Sequence, residues 1–203
     1  FKLYTHFHKE AEKDPVLDDE AREAFNRLEL GHKEYTELWQ WFRTVSLEAF
    51  QLLYDQLNVS FDHIQGESFY NDQLSRTAEL LEEKQLLEYD DGAYIVRLSD
   101  TPPALIKKRD GASLYITRDA AAMLYRVEEY KADKILYVVG QEQSVHFEQL
   151  SQLAKLLDVK TDIEHIPFGL ILKNGKKMST RKGEVILLED IIVDVKERAL
   201  EVI

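Results

Sequence analysis

The segment Lys176-Lys177-Met178-Ser179-Thr180-Arg181-Lys182-Gly183 gathers the residue types that a polyphosphate needs. Lysine and arginine supply positive charge, two hydroxyls supply hydrogen-bonding groups, and Gly183 lets the backbone bend sharply. It overlaps Leu170-Ile171-Leu172-Lys173-Asn174-Gly175-Lys176-Lys177, where Asn-Gly predicts a β-hairpin because both turn positions need positive φ. A cationic loop held at the end of a sheet is one reading. A solvated basic turn is the other, and for a lysine pair alone it is the more ordinary one, since surface charge is common.

Two other segments carry residues suited to binding. In Tyr115-Ile116-Thr117-Arg118-Asp119 the pattern predicts a strand ending at Leu114-Tyr115-Ile116 and a helix capped by Thr117. Asp119 then lies in the first turn, where the helix dipole favours an ionised carboxylate. A fixed carboxylate beside a phenol suits a guanidinium, whose donors form a planar fork. An ordinary helix start with an acidic first turn fits the same residues. In Gly140-Gln141-Glu142-Gln143-Ser144-Val145-His146-Phe147 a polar loop follows an apolar strand, and Ser144 is a candidate cap. Gln143 and His146 are thereby placed outside the carboxyl end of a strand, where open α/β sheets bind ligands. His146 alone also fits a satisfied structural group. His6 and His8 would share one face of a strand, but no third ligand accompanies them, and no metal site is expected.

The elements that must position these residues follow from periodicity. Ala21, Ala24, Phe25 and Leu28 keep helical spacing, as do Tyr35, Leu38, Trp39 and Phe42. Asp14-Pro15 starts the first run and Gly31 ends it. A third helix is expected from Ser46, with Phe50, Leu53, Tyr54 and Leu57 on its buried face. Residues 59–64 read as a short strand, followed by Gly66-Glu67-Ser68 and a helix with Leu74, Ala78 and Leu81 inward. Residues 86–98 read as a hairpin around Asp90-Asp91-Gly92, and Pro102-Pro103 breaks the chain before Ala104–Lys107 leads to a turn at Asp110-Gly111. Strand and helix then alternate. A helix runs from Thr117 to about Tyr130, and the apolar run 135–139 reads as a buried parallel strand. A helix over 145–157 turns Leu150, Leu153, Ala154 and Leu157 inward, strand 163–168 leads to the hairpin, and Leu188, Ile191, Ile192, Val195 and Ala199 mark a last helix. Such alternation implies an α/β fold with parallel strands. Trp39 and Trp41 read as core or domain-packing aromatics, and the acidic run 79–88 as a solvated helix face.

Taken in order, these segments resemble class I aminoacyl-tRNA synthetases. Lys177-Met178-Ser179 is similar to the start of their KMSKS signature loop, with Thr180 and Arg181 replacing its second lysine and final serine. Met-Ser-Thr-Arg-x-Gly is similar to the arginyl-tRNA synthetase form of that loop. Tyr-x-Thr-Arg-Asp followed by Ala120-Ala121-Ala122 resembles the arginine-binding segment of that family, and Gln-x-x-His-Phe resembles its second one. By this resemblance Tyr115 and Asp119 contact the guanidinium, Gln143 holds the arginine by its amide, and His146 has a minor role nearby. Lys177, Met178, Ser179 and Thr180 form the catalytic loop, with Lys176, Arg181 and Lys182 as neighbouring cations that compensate for the replaced lysine. Phe168, Gly169 and Leu170 lie along the adenine and, with Lys177, Met178 and Ser179, bind ATP. Glu67 falls in a family-like segment without an assigned role.

The fold so implied is the second half of a Rossmann-like (HUP-type) nucleotide-binding core, with a helical insertion over 1–45 and a partial catalytic core over 46–203 that carries a small β insertion at about 86–110. The implied activity is arginine–tRNA ligation: ATP-dependent formation of arginyl-adenylate, then transfer to tRNA(Arg). ATP is a substrate that comes with Mg2+, and no tightly bound cofactor is expected. L-arginine, ATP and tRNA(Arg) are the partners, the tRNA mostly through domains outside these residues. A cytoplasmic, full-length monomer without a membrane partner completes that expectation. The family's His-x-Gly-His signature does not occur in this sequence and belongs upstream in the family. With Phe1 in place of an initiator methionine and an end inside a helical pattern, the chain reads as an excised piece, inactive alone.

Composition agrees with this and narrows the alternatives. The 203 residues are 44% hydrophobic, enough for a substantial core. No apolar stretch approaches the roughly 20 residues of a membrane helix. With no cysteine, disulfide and thiolate chemistry are excluded for these residues. A net charge of −12 argues against strong nucleic-acid binding by bulk electrostatics, and the only dense basic clusters are Lys107-Lys108-Arg109 and 173–182. Two other readings compete. Another class I synthetase or a small adenylyltransferase would share the loop, but a neutral amino acid would not need Asp119. A non-catalytic module binding partners through the helical first third would leave the tryptophans near Trp39 exposed.

Overall fold

A computed structural model describes residues 2–108, 115–173, 175–178 and 185–202, with Lys108, Lys173, Lys176 and Lys177 described by backbone alone. The chain divides into two compact units, one made of 1–62 and 171–203 and the other of 63–170.

The first unit opens with helices α1 (Lys2–Ala11), α2 (Val16–Glu29) and α3 (Lys33–Leu57). The sequence pattern misses α1. Its helical turn of about 100° per residue sets His6 and His8 on opposite sides, not together on one strand face. α2 has Asp18 and Asp19 in its first turn and Arg27 in its last, matching the helix dipole. It ends as expected at Gly31 (φ 74°), where the His32 amide donates to the Arg27 carbonyl at 3.0 Å and the Gly31 amide to Leu28 at 3.0 Å. The third helix expected from Ser46 is corrected: α3 is one helix of 25 residues, and the Ser46 hydroxyl donates back to the Phe42 carbonyl at 2.7 Å instead of capping a new start. It ends at Asn58 (φ 52°), with the Val59 amide returning to the Tyr54 carbonyl at 2.9 Å.

The expected strand at 59–64 does not form. Val59 is used to close the helix, Phe61 packs its ring edge-on to Tyr54 at 4.9 Å, and among the described residues no strand pairs with this segment. Trp41 is 60% exposed while Trp39 is half-buried, so neither is a core residue. The later part of this unit contains the predicted hairpin and final helix, described below.

The second unit contains the three-stranded sheet, the parallel strand pair and most of the core. After a 3-10 segment (Glu67–Gln73) come α4 (Leu74–Glu83), β1 (Glu88–Asp90), β2 (Ala93–Val96), β3 (Ala104–Lys108), α5 (Tyr115–Tyr130), β4 (Lys134–Gly140), α6 (Ser144–Leu156) and β5 (Asp162–Phe168). β1 and β2 form the expected hairpin, with Asp91 and Gly92 both at positive φ (43° and 81°), as a tight two-residue turn requires. β3 pairs antiparallel with β2 and completes a three-stranded sheet. β4 and β5 run parallel from Lys134↔Asp162 to Gly140↔Phe168, joined through α6. The core gathers Leu81, Ile106, Met123, Leu150 and Leu153, all with no exposed surface, from four elements.

β4 departs from the expectation of a strand buried on both faces. Ile135 and Tyr137 are buried, but Leu136 and Val138 are exposed, so among the described residues only one face of β4 is packed. The strand predicted at Leu114-Tyr115-Ile116 is also corrected: Leu114 lies outside the described residues, and Tyr115 and Ile116 are already helical. The turn predicted at Asp110-Gly111 lies outside them too. The remaining elements of the first unit are β6 (Leu172–Lys173), β7 (Lys176–Lys177) and α7 (Leu188–Val202). Lys196 of α7 donates to Gln56 of α3 at 3.3 Å.

Candidate active site

Asp119 is positioned by the first turns of α5. The expected capping role of Thr117 is replaced by another. Thr117 sits inside the helix, fully buried, and its hydroxyl donates to the Ile106 carbonyl of β3 at 2.5 Å. The three-stranded sheet therefore fixes the start of α5. Ala120, Ala121 and Ala122 follow, all buried, and their small side chains let α5 pack closely. Tyr115 is 77% exposed and lies one turn before Asp119, so the phenol and the carboxylate share one helix face. They share it by helical spacing, not by a strand end meeting a helix.

α6 brings the second set. Gly140 closes β4, a 3-10 turn (Gln141–Gln143) follows, and α6 starts at Ser144. The Ser144 hydroxyl donates to the Gln141 carbonyl at 2.7 Å, so it ties the turn together without capping a helix amide. Gln143 is exposed at the head of α6. His146, on the first turn of α6, meets Asp119: Nε2 and Oδ2 are 2.7 Å apart across 27 residues of sequence. The His146 side chain is 23% exposed and that of Asp119 37%. An acidic group is thereby held beyond the carboxyl end of β4, where α/β sheets bind ligands. The parallel register places Phe168 beside Gly140 at that same end. Phe168, Gly169 and Leu170 follow there with exposed surfaces.

Beneath this edge lies a group the sequence did not single out. Tyr137 is 8% exposed, and its hydroxyl is buried without a hydrogen-bond partner among the described residues. Burial pushes the phenol above its usual pKa; the Arg126 cation opposes this and the Asp119 carboxylate adds to it. The phenol therefore stays neutral near pH 7. The Arg126 guanidinium lies 5.5 Å from the Tyr137 ring centroid and 5.8 Å from that of Tyr70. The signal was a single polar-tipped residue inside the apolar run of β4. The Asp119–His146 pair had no such signal, since long sequence separation hides a contact.

The cationic loop belongs to the other unit. Leu172 pairs with Lys177 and Lys173 with Lys176, with Gly175 at φ 73°, so the expected hairpin forms. Lys176 and Lys177 are placed on β7, and Met178 after it is half-buried. Asn174, Ser179, Thr180, Arg181, Lys182 and Gly183 lie outside the described residues. Glu67 opens the 3-10 segment before α4. Among the described residues no cluster of three or more His, Asp or Glu forms that could hold a metal ion. No described helix is long and apolar enough to cross a membrane.

Comparison with known proteins gives concordant results. The family model described as tRNA synthetases class I (R), catalytic domain, matches residues 1–203. An arginine–tRNA ligase of Exiguobacterium sp. is 52% identical over 202 residues, covering 98% of this chain and 36% of that protein. One from Streptococcus agalactiae is 54% identical over 203 residues, again 98% of this chain and 36% of the relative. The chain thus spans about a third of the length of the curated relatives it matches. The crystal structure of arginyl-tRNA synthetase from Plasmodium falciparum superposes with a TM-score of 0.77 at 25% identity, covering 91% of this chain and 31% of that one. That of Thermus thermophilus arginyl-tRNA synthetase gives 0.72 at 16% identity over 99% of this chain and 40% of its own, a likeness of fold.

Proposed function

The chain belongs to the family of class I (R) tRNA synthetase catalytic domains, and from that membership we propose that the full-length protein is an arginine–tRNA ligase. The observation that carries the reading to residues is the Asp119 carboxylate, tied to His146 at the carboxyl end of β4 with Tyr115 on the same helix face. A carboxylate so placed recognises a guanidinium by charge and by paired hydrogen bonds. Gln143, at the head of α6, supplies an amide that both donates and accepts, suited to the substrate's ammonium or carboxylate.

In this reading the arginine carboxylate oxygen attacks the α-phosphorus of ATP. The bond from that phosphorus to the bridging oxygen breaks, and pyrophosphate leaves. A ribose hydroxyl of the tRNA then attacks the activated carbonyl carbon, releasing AMP and a proton. ATP enters as its magnesium complex, a substrate. Lys177, Met178, Ser179 and Thr180 provide the catalytic loop, with Lys176, Arg181 and Lys182 adding positive charge toward the leaving pyrophosphate. The backbone at Phe168, Gly169 and Leu170 lies along the adenine. The tRNA is gripped mostly by domains beyond this chain, in agreement with its net charge of −12. The helical insertion over 1–45, the partial core over 46–203, a cytoplasmic location and a monomeric full-length protein belong to the same proposal.

The test is arginine-dependent exchange of label between pyrophosphate and ATP, together with charging of tRNA(Arg). The full-length protein should perform both, and the 203-residue chain alone neither. Exchange driven equally by a neutral amino acid would refute the assignment.

A further inference from the structure

We propose that His146 is a positioning residue for the guanidinium site: its Nε2–H holds one oxygen of Asp119 so that the carboxylate meets a cationic side chain in a single orientation. The proposal rests on the reading of Asp119 as the arginine-facing carboxylate.

The contact has a defined polarity. An ionised carboxylate only accepts hydrogen bonds, so at 2.7 Å from Oδ2 the proton must sit on Nε2 of His146. Both partners stand on independently anchored helices. α5 is tied to β3 by Thr117, which donates to the Ile106 carbonyl. α6 is tied to the segment before β3: Gln149 donates to the Pro102 carbonyl at 2.9 Å, and Gln152 accepts from the Ser99 amide at 3.1 Å. The His146 ring is itself set edge-on against Phe147, with centroids 5.2 Å apart at 87°. Phe147 in turn is 6% exposed and stacks on His165 at 4.8 Å. A rigid donor thus reaches a carboxylate whose side chain is 37% exposed, so part of it stays accessible to a ligand. The neighbouring Tyr137 hydroxyl does not share this task, being unpartnered among the described residues.

The expected size follows from torsions. Asp119 lies inside α5, where about two of the three staggered χ1 wells are open, and a half-turn about χ2 only exchanges equivalent carboxylate oxygens, so without the donor its productive orientation falls to about half of the population. Apparent affinity scales with that fraction, giving a roughly 2-fold loss.

The experiment measures KM for arginine and for ATP by pyrophosphate exchange in the full-length protein and its His146→Ala, His146→Phe and His146→Gln variants. His146→Phe keeps a packed ring without a donor, and His146→Gln keeps a donor without the ring. The alanine and phenylalanine variants should raise KM for arginine roughly 2-fold while KM for ATP stays put, and the glutamine variant should stay near wild type. Unchanged arginine KM in the phenylalanine variant overturns the proposal, as does an equal rise for arginine and ATP. Equal loss in the glutamine and phenylalanine variants overturns it too, since ring packing would then be the role. Wild-type exchange that ignores arginine overturns the functional reading itself, a result distinct from any of these.

Discussion

Replacing Asp119 with asparagine tests the guanidinium site most directly, because the change removes charge and keeps shape. The magnitude can be worked from exposure and distance. Two opposite charges about 4 Å apart attract by roughly 4 kcal/mol at the effective dielectric of about 20 near a protein surface, and by roughly 1 kcal/mol in bulk water. The Asp119 side chain is 37% exposed, which places it between those limits. A loss of about 2 kcal/mol, or roughly 30-fold in arginine affinity, is expected. The hydrogen bond to His146 sharpens the effect. In the variant, the amide oxygen takes the Nε2–H that Oδ2 now accepts, which turns the amide NH2 toward the ligand. Donors then face the donors of a guanidinium, so geometry offers no compensation. Arginine KM in pyrophosphate exchange should rise roughly 30-fold in the full-length protein, with KM for ATP unchanged. Citrulline, nearly the same shape without the charge, should lose its disadvantage against arginine in the variant. An arginine KM within about threefold of wild type would refute the electrostatic reasoning.

Three further outcomes follow from the framework around the site. Thr117→Val deletes the hydroxyl that satisfies the buried Ile106 carbonyl and should cost about 1–3 kcal/mol in denaturant unfolding; a neutral result would mean that another donor reaches that carbonyl. Gln85 holds φ 56° just past the end of α4, so Gln85→Gly should stabilise by about 0.5–1 kcal/mol, and a fall in melting temperature would contradict this. Tyr137 has its pKa raised by burial, with Arg126 opposing and Asp119 adding, so the folded chain keeps this proton where the unfolded chain has released it. Its contribution to stability is therefore fully present below about pH 10 and is lost as pH rises through the folded value. The difference in ultraviolet titration between wild type and Tyr137→Phe should show one phenol with a midpoint above 10, and a midpoint at or below 10 would sink the assignment.

What the sequence made legible was whatever local chemistry decides. The Asn-Gly hairpin needed only positive φ at its turn, and Gly31 only a left-handed helix end, so both were readable from a few residues. The parallel pair β4–β5 was legible because an apolar run, a helical period and a second apolar run admit few other arrangements. Three of the misreadings involve a competing partner. Ser46 looked like a helix start, but its hydroxyl bonds within one long helix. Val59 to Ile64 had strand composition, but Val59 closes α3 and no strand among the described residues pairs with this segment. Thr117 looked like a cap, but it is bonded to β3, a partner that lies 11 residues back.

The site shows the same division more sharply. Types and spacing identified Tyr115 with Asp119 and Gln143 with His146 as candidates in two separate short motifs. Nothing in those motifs says that Asp119 and His146 touch, because the contact depends on two helices being anchored to different parts of one sheet-and-loop framework. The consequence is a physical asymmetry between the residues. Tyr115 is exposed and can reorient on ligand binding, whereas Asp119 is already oriented by a donor from another helix. Binding of a cation therefore draws its ordering cost mainly from Tyr115 and the ligand and little from the carboxylate. Discrimination against a neutral analogue should accordingly survive loss of the Tyr115 ring better than loss of the Asp119 charge. Measured side by side, Tyr115→Ala should weaken arginine and citrulline by similar factors, while Asp119→Asn weakens arginine alone; the reverse ranking would place recognition in the phenol and not in the carboxylate.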